Sequence, residues 1–152
     1  MRYRPRQEEY NGFMNEFSGE LSRHFPDVCF GCFGSTINGD AVYGKADIDG
    51  FLIMDSGIVS DKKTVKGLSQ ILARALTHNR VKTQFNLIDR RTLVDGRFLS
   101  YTKDYTNWLK NTARVVCGPD YVSDMRGYDP KFSVLHSAAF NFCGPHSVRN
   151  AA

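Results

Sequence analysis

The run DIDGFLIM, residues 47–54, constrains the fold more than any other stretch. Its second half is continuously apolar, the mark of a strand buried on both faces of a sheet. Such a strand needs cover above and below, so helices must pack against the sheet that contains it. Its first half carries two aspartates. Residues two apart in a strand project to the same side, which sets the Asp47 and Asp49 carboxylates roughly 6–7 Å apart. Their repulsion at an effective dielectric near 20 is about 2 kcal/mol. A cation would offset it, and Mg²⁺ suits a pair of carboxylates plus phosphate oxygens.

The other elements agree with a layered α/β (α+β) fold, a mixed β-sheet with helices packed against it. Tyr10, Phe13, Met14, Phe17, Leu21 and Phe25 recur at helical spacing, and Pro26 ends that helix. DVCFGCF reads as a buried strand and STINGDAVYGKA as turn-rich. Val65, Leu68, Ile71, Leu72, Ala75 and Leu76 form a second helical stripe. VKTQFNLID is a third strand, with Val81, Thr83, Phe85 and Leu87 on its core face. Tyr101, Tyr105, Trp108 and Leu109 predict a third helix, ARVVC a short strand, and Phe132, Leu135, Ala139 and Phe140 the apolar stripe of a last helix.

At 152 residues and 24% charged, the chain suits a single domain over 1–152 with an adequate core. Residues from about 144, which include His146, read as a mobile tail. No apolar run is long enough to span a bilayer, and the basic N-terminus has no apolar stretch behind it. A cytoplasmic protein without membrane attachment is the expectation. Cys29 and Cys32 form a CxxC, but inside an apolar strand rather than at a helix start, so buried thiols are expected over redox or zinc chemistry. The net charge of +4 is uneven: residues 61–91 hold eight basic side chains against two aspartates. That region is either a solvated helix face or an attractor of polyanions.

Gly34 and Ser35 end the strand that precedes the aspartates. A glycine there lets backbone N–H groups approach a phosphate, and the serine hydroxyl adds a donor. FGS, about a dozen residues, then DIDGFLIM resembles the signature of the nucleotidyltransferase fold shared by the DNA polymerase beta superfamily. The downstream ARVVCGPD is similar to a strand and turn of its small members. The resemblance implies transfer of a nucleoside monophosphate from a nucleoside triphosphate, ATP by expectation, to an acceptor hydroxyl with Mg²⁺ or Mn²⁺. It implies Asp47 and Asp49 as catalytic, metal-binding acids, and Gly34 and Ser35 as the hold on the triphosphate. Lys45, in the loop before Asp47, is a candidate phosphate contact, and Tyr43 a candidate base contact.

Active members commonly carry a third acid on a neighbouring strand. Here Gln84 and Asn86 share the polar face of VKTQFNLID, so amides stand where that acid is expected. Asp89 has the parity of the core residues and reaches the site only if the strand breaks or bulges before it. A neutral amide can ligate a metal but cannot accept a proton near pH 7. Two readings therefore stand: a transferase, or a non-catalytic module of the same fold that binds nucleotide, RNA or a protein. Gly50 also departs from the pattern, where a bulkier apolar residue is usual. The acceptor (small molecule, RNA or protein) is left open, as is assembly into a homo-oligomer or with a protein partner.

Overall fold

Four residues at helical spacing, Tyr10, Phe13, Phe17 and Leu21, are all buried on one side of α1 (Gln7–His24). Their rings and methyls pack on a four-stranded sheet, and this contact orders the first third of the protein. The computed structural model describes residues 4–96 and 101–143. In chain order α1 is followed by β1 (Cys29–Phe33), α2 (Ser35–Asn38), β2 (Ile48–Met54), α3 (Ser56–Ser60), α4 (Lys62–Asn79) and β3 (Thr83–Asp89). Then come α5 (Arg90–Val94), α6 (Lys103–Thr112), β4 (Arg114–Cys117) and α7 (Pro130–Cys143). The tail expected from about residue 144, with His146, lies outside the described residues.

The sheet order is β3-β2-β1-β4. β1 runs antiparallel to both β2 and β4, whereas β2 and β3 are parallel. This is the mixed sheet the sequence predicts. β2 is interior, and Phe51, Leu52, Ile53 and Met54 are buried alternately on its two faces. One face carries the α1–α4 core with Phe30, Cys32, Ile48, Leu52 and Met54. The other carries a second core in which Phe33, Phe51, Ile53 and Ile88 meet Leu109 of α6.

Gly50 is explained by this packing. A Cβ there would stand 2.1 Å from the Phe85 ring, because Phe85, its register partner on β3, lies over the glycine. The ring occupies the volume of the expected bulky residue. Both CxxC thiols are buried in β1. Burial pushes the Cys29 thiol up to about 11 and Cys32 higher still, so neither is a thiolate near neutrality.

Two expectations need correction. Leu87 was expected on the core face, but β3 is an edge strand, and Leu87 borders an open cleft beside Val65 and Leu72. It remains 42% exposed. The larger correction is α7. Of its expected stripe Phe132, Leu135 and Ala139 face outward, the first two at 52% and 70% exposure, while Ser133 and Ser137 are buried; the Phe140 side chain lies outside the described residues. The contact with α6 is hydrogen-bonded instead: Ser137 donates to Asp104, and the Asn107 amide donates to Ser133 Oγ at 3.5 Å. A period of 3.6 identifies a helix but leaves open which of its stripes is buried.

Candidate active site

β1 and β2 bring the two halves of the motif together because Phe33 is the register partner of Asp49. The chain leaves β1 through Gly34, whose φ of 78° lies in the left-handed region that favours glycine. Space demands glycine as well, since a Cβ would come within 2.8 Å of Asp49 Oδ2. Gly34 is followed at once by the single turn of α2, so the N–H groups of Ser35 and Thr36 lie where a helix has no internal acceptors for them. The Thr36 hydroxyl donates to the Asp47 carbonyl at 2.8 Å and fixes this turn to the start of β2.

Asp47 immediately precedes β2 and is exposed; Asp49 is the second residue of the strand and is half-buried. Asp49 is pushed above the usual carboxylate range, first by burial and then by the charge of Asp47. Among the described residues no lysine, arginine or histidine forms an ion pair with either carboxylate. The carboxylates of Asp47 and Asp49, close enough for the Asp47 charge to act on Asp49, are oxygen donors of the kind that Mg²⁺ or Mn²⁺ takes together with phosphate oxygens. No cluster of three or more His, Cys, Asp or Glu side chains with metal-site geometry occurs among the described residues.

The third-position candidates separate cleanly. Gln84 is the direct register partner of Asp49 on the adjacent parallel strand, and it is exposed. Asn86 pairs with Phe51, two residues deeper, and its amide interacts with the Tyr101 hydroxyl. Asp89 pairs with Met54 at the far end of an unbroken strand. Five residues of strand separate it from Gln84, roughly 17 Å. There it accepts from Ser56 Oγ at 2.5 Å and caps α5 through Thr92 N at 2.9 Å. The structure thus pairs Gln84 with Asp49, sets Asn86 one step deeper on the same strand face, and takes Asp89 to the far end of the strand.

Lys45 is exposed in the loop that leads into Asp47. That loop is held by the Tyr10 hydroxyl, which donates to the Ala46 carbonyl at 2.5 Å, and the Tyr43 ring packs on Tyr10 at 5.2 Å. Tyr43 thus helps fix the loop and remains 42% exposed. The basic side chains of α4 sit on the helix that covers the opposite face of the sheet from Asp49. His24 and His78 lie beside Glu20 and Glu16 on the outer α1–α4 surface. Thr36 and Tyr10 escaped the sequence reading, because one lay in a turn and the other in a helical stripe. Neither position carried a signal of a contact 11 or 36 residues away.

No family model matches the sequence. No curated protein matches it. Solved structures are similar to it at low identity. One is a toxin–antitoxin structure with AMP-PNP, 18% identical with a TM-score of 0.43, over 90% of this chain and 95% of the matched chain. Two others are mutants of the toxin–antitoxin MntA-HpeT, 16% and 14% identical with TM-scores of 0.41 and 0.42. Each again spans 90% of this chain, and 95% and 94% of the matched chains. Among the described residues no helix is long and apolar enough to cross a membrane.

Proposed function

We propose that this chain is a metal-dependent nucleotidyltransferase that moves a nucleoside monophosphate from a nucleoside triphosphate, ATP in the simplest case, to an acceptor hydroxyl. The observation that carries the reading is the pair Asp47 and Asp49, unpaired with any cation among the described residues and set against the Gly34 turn. In the reaction the acceptor oxygen loses its proton to water and bonds to the α-phosphorus, the bond to the bridging oxygen breaks, and pyrophosphate leaves. Asp47 and Asp49 would hold Mg²⁺ or Mn²⁺, which when bound would neutralise the charge that builds on the phosphates. The backbone N–H groups after Gly34, the Ser35 hydroxyl and the Lys45 ammonium would hold the triphosphate. The Gln84 amide oxygen can complete the oxygen donor set but cannot take the acceptor's proton. The acceptor class is a small molecule, an RNA or a protein.

One observation favours a second reading, a nucleotide-binding module without turnover: the neutral Gln84 stands beside Asp49. Release of pyrophosphate from labelled ATP separates the two. The transferase reading predicts acceptor-dependent release that disappears in Asp47→Ala and Asp49→Ala while the circular dichroism spectrum persists. Turnover retained in a folded double mutant would sink it, and metal-dependent binding without any release would favour the module.

A further inference from the structure

Beside the two acids stands an aromatic wall that neither the motif nor the proposed chemistry uses. Phe33, the register partner of Asp49, contacts Tyr105 edge-on at 6.3 Å and Trp108 edge-on at 5.6 Å. Tyr105 and Trp108 are three apart on α6, hence on one helical face, with ring centroids at 5.3 Å. Tyr105 thus reaches the acid end of β2 through Phe33, the residue paired with Asp49. From Tyr105 the wall continues one step of about 4.5 Å along the helix to Trp108. There it stops being core: Leu109, the next residue, is fully buried, whereas Trp108 is 40% exposed.

We propose that Trp108, backed by Tyr105 and Phe33, is the platform on which the purine base of the nucleoside triphosphate stacks. This rests on the reading of Asp47 and Asp49 as the phosphate and metal end of the same site. Three arguments carry it. A base needs an aromatic face rather than hydrogen-bonding groups to be held without tight selectivity, and the indole supplies the largest one. The wall is assembled without ligand, since Phe33 makes T-shaped contacts with both rings of α6. It also begins at the carboxylate end, so a ligand with phosphates at Asp47 and Asp49 meets it with its nucleoside half. A two-ring purine covers more of the indole than a pyrimidine does, so ATP and GTP should bind more tightly than CTP and UTP.

Trp108 is the only tryptophan of the 152 residues, which makes the test direct. Its fluorescence is followed while Mg²⁺ with a non-hydrolysable ATP analogue, CTP or inorganic tripolyphosphate is titrated, with calorimetry alongside. The expected result is quenching by the ATP analogue, weaker quenching by CTP, and tripolyphosphate binding with little quenching. Trp108→Ala should weaken the ATP analogue by about fivefold to a hundredfold and leave tripolyphosphate unchanged. Trp108→Phe should recover part of the loss. If Trp108→Ala binds the ATP analogue as the parent does, or weakens tripolyphosphate equally, the platform is refuted while the phosphate site stands. If the parent binds neither ligand, or Asp49→Asn leaves both affinities unchanged, the reading of the acids fails as well.

Discussion

Two aspartates stand at opposite ends of the same pair of parallel strands and have opposite fates. Asp89, where β3 ends, receives Ser56 Oγ and the Thr92 amide. Burial raises its carboxyl, but those bonds and the nearby Arg91 outweigh it and hold the group below its ordinary value. Asp49, where β2 begins, has burial and the Asp47 charge against it, and its carboxyl is raised. One end of the sheet is therefore complete in itself, with its acid serving as a helix cap. The other holds a carboxylate whose charge the fold leaves uncompensated, as expected of a group that meets its partner in a ligand.

The sharpest break of this comparison is Asp49→Asn. Nucleotide transfer should fall by roughly a hundredfold or more if the acid holds the metal. The thermal midpoint without metal should stay level or rise, because a half-buried repelled charge is removed. A lower midpoint together with unchanged transfer would reverse the assignment. At the other end, Asp89→Ala should cost about 1–2 kcal/mol in urea unfolding, the usual loss for a helix cap. Binding of the ATP analogue should change less than twofold; a large drop there would return Asp89 to the site.

Gln84→Glu sharpens the contrast by adding a third acid beside Asp49. Without metal it should lower stability by about 0.5–1 kcal/mol through like-charge repulsion across the strands. Mg²⁺ should restore that loss through binding to the folded state, read as a melting shift larger than the parent's. A melting curve indifferent to Mg²⁺ would show that position 84 does not face the metal. The smallest effect concerns pH. Because the folded Asp89 carboxyl is depressed, its contribution is fully present above about pH 4 and is lost as pH falls through the folded value. Asp89→Asn should flatten that acid limb of stability, while Asp49→Asn should leave no such flattening.

Much of the scaffold was legible because its signals are local. The stripe of α1 and the apolar half of β2 follow from burial acting on neighbouring residues and appear as expected, whereas the alternation of β3 fails at Leu87, which is exposed, and Ile88, which is buried. The polar parity of Gln84 and Asn86 was legible too, but their separation was not. Which of them meets Asp49 depends on the register between β2 and β3, set by the packing of Phe85 over Gly50. The short helices α2, α3 and α5 were missed, since four or five residues carry too little periodicity to reveal one. α7 was recognised as a helix and assigned the wrong buried face, because its partner α6 offers Asp104 and Asn107 rather than an apolar groove.

The sequence by itself determined the central strand, the turn with its glycine, and the two acids at one strand start. These are demands of burial and backbone conformation within a few residues. Only the tertiary structure decided that Gln84 flanks Asp49, that Asp89 serves a helix instead, and that Phe33, Tyr105 and Trp108 form one wall beside the acids. The first and last of those facts join residues tens of positions apart, and Asp89, though it caps Thr92 three residues on, is also held by Ser56, 33 residues away. Strand register and helix docking, not local preference, bring such residues into contact.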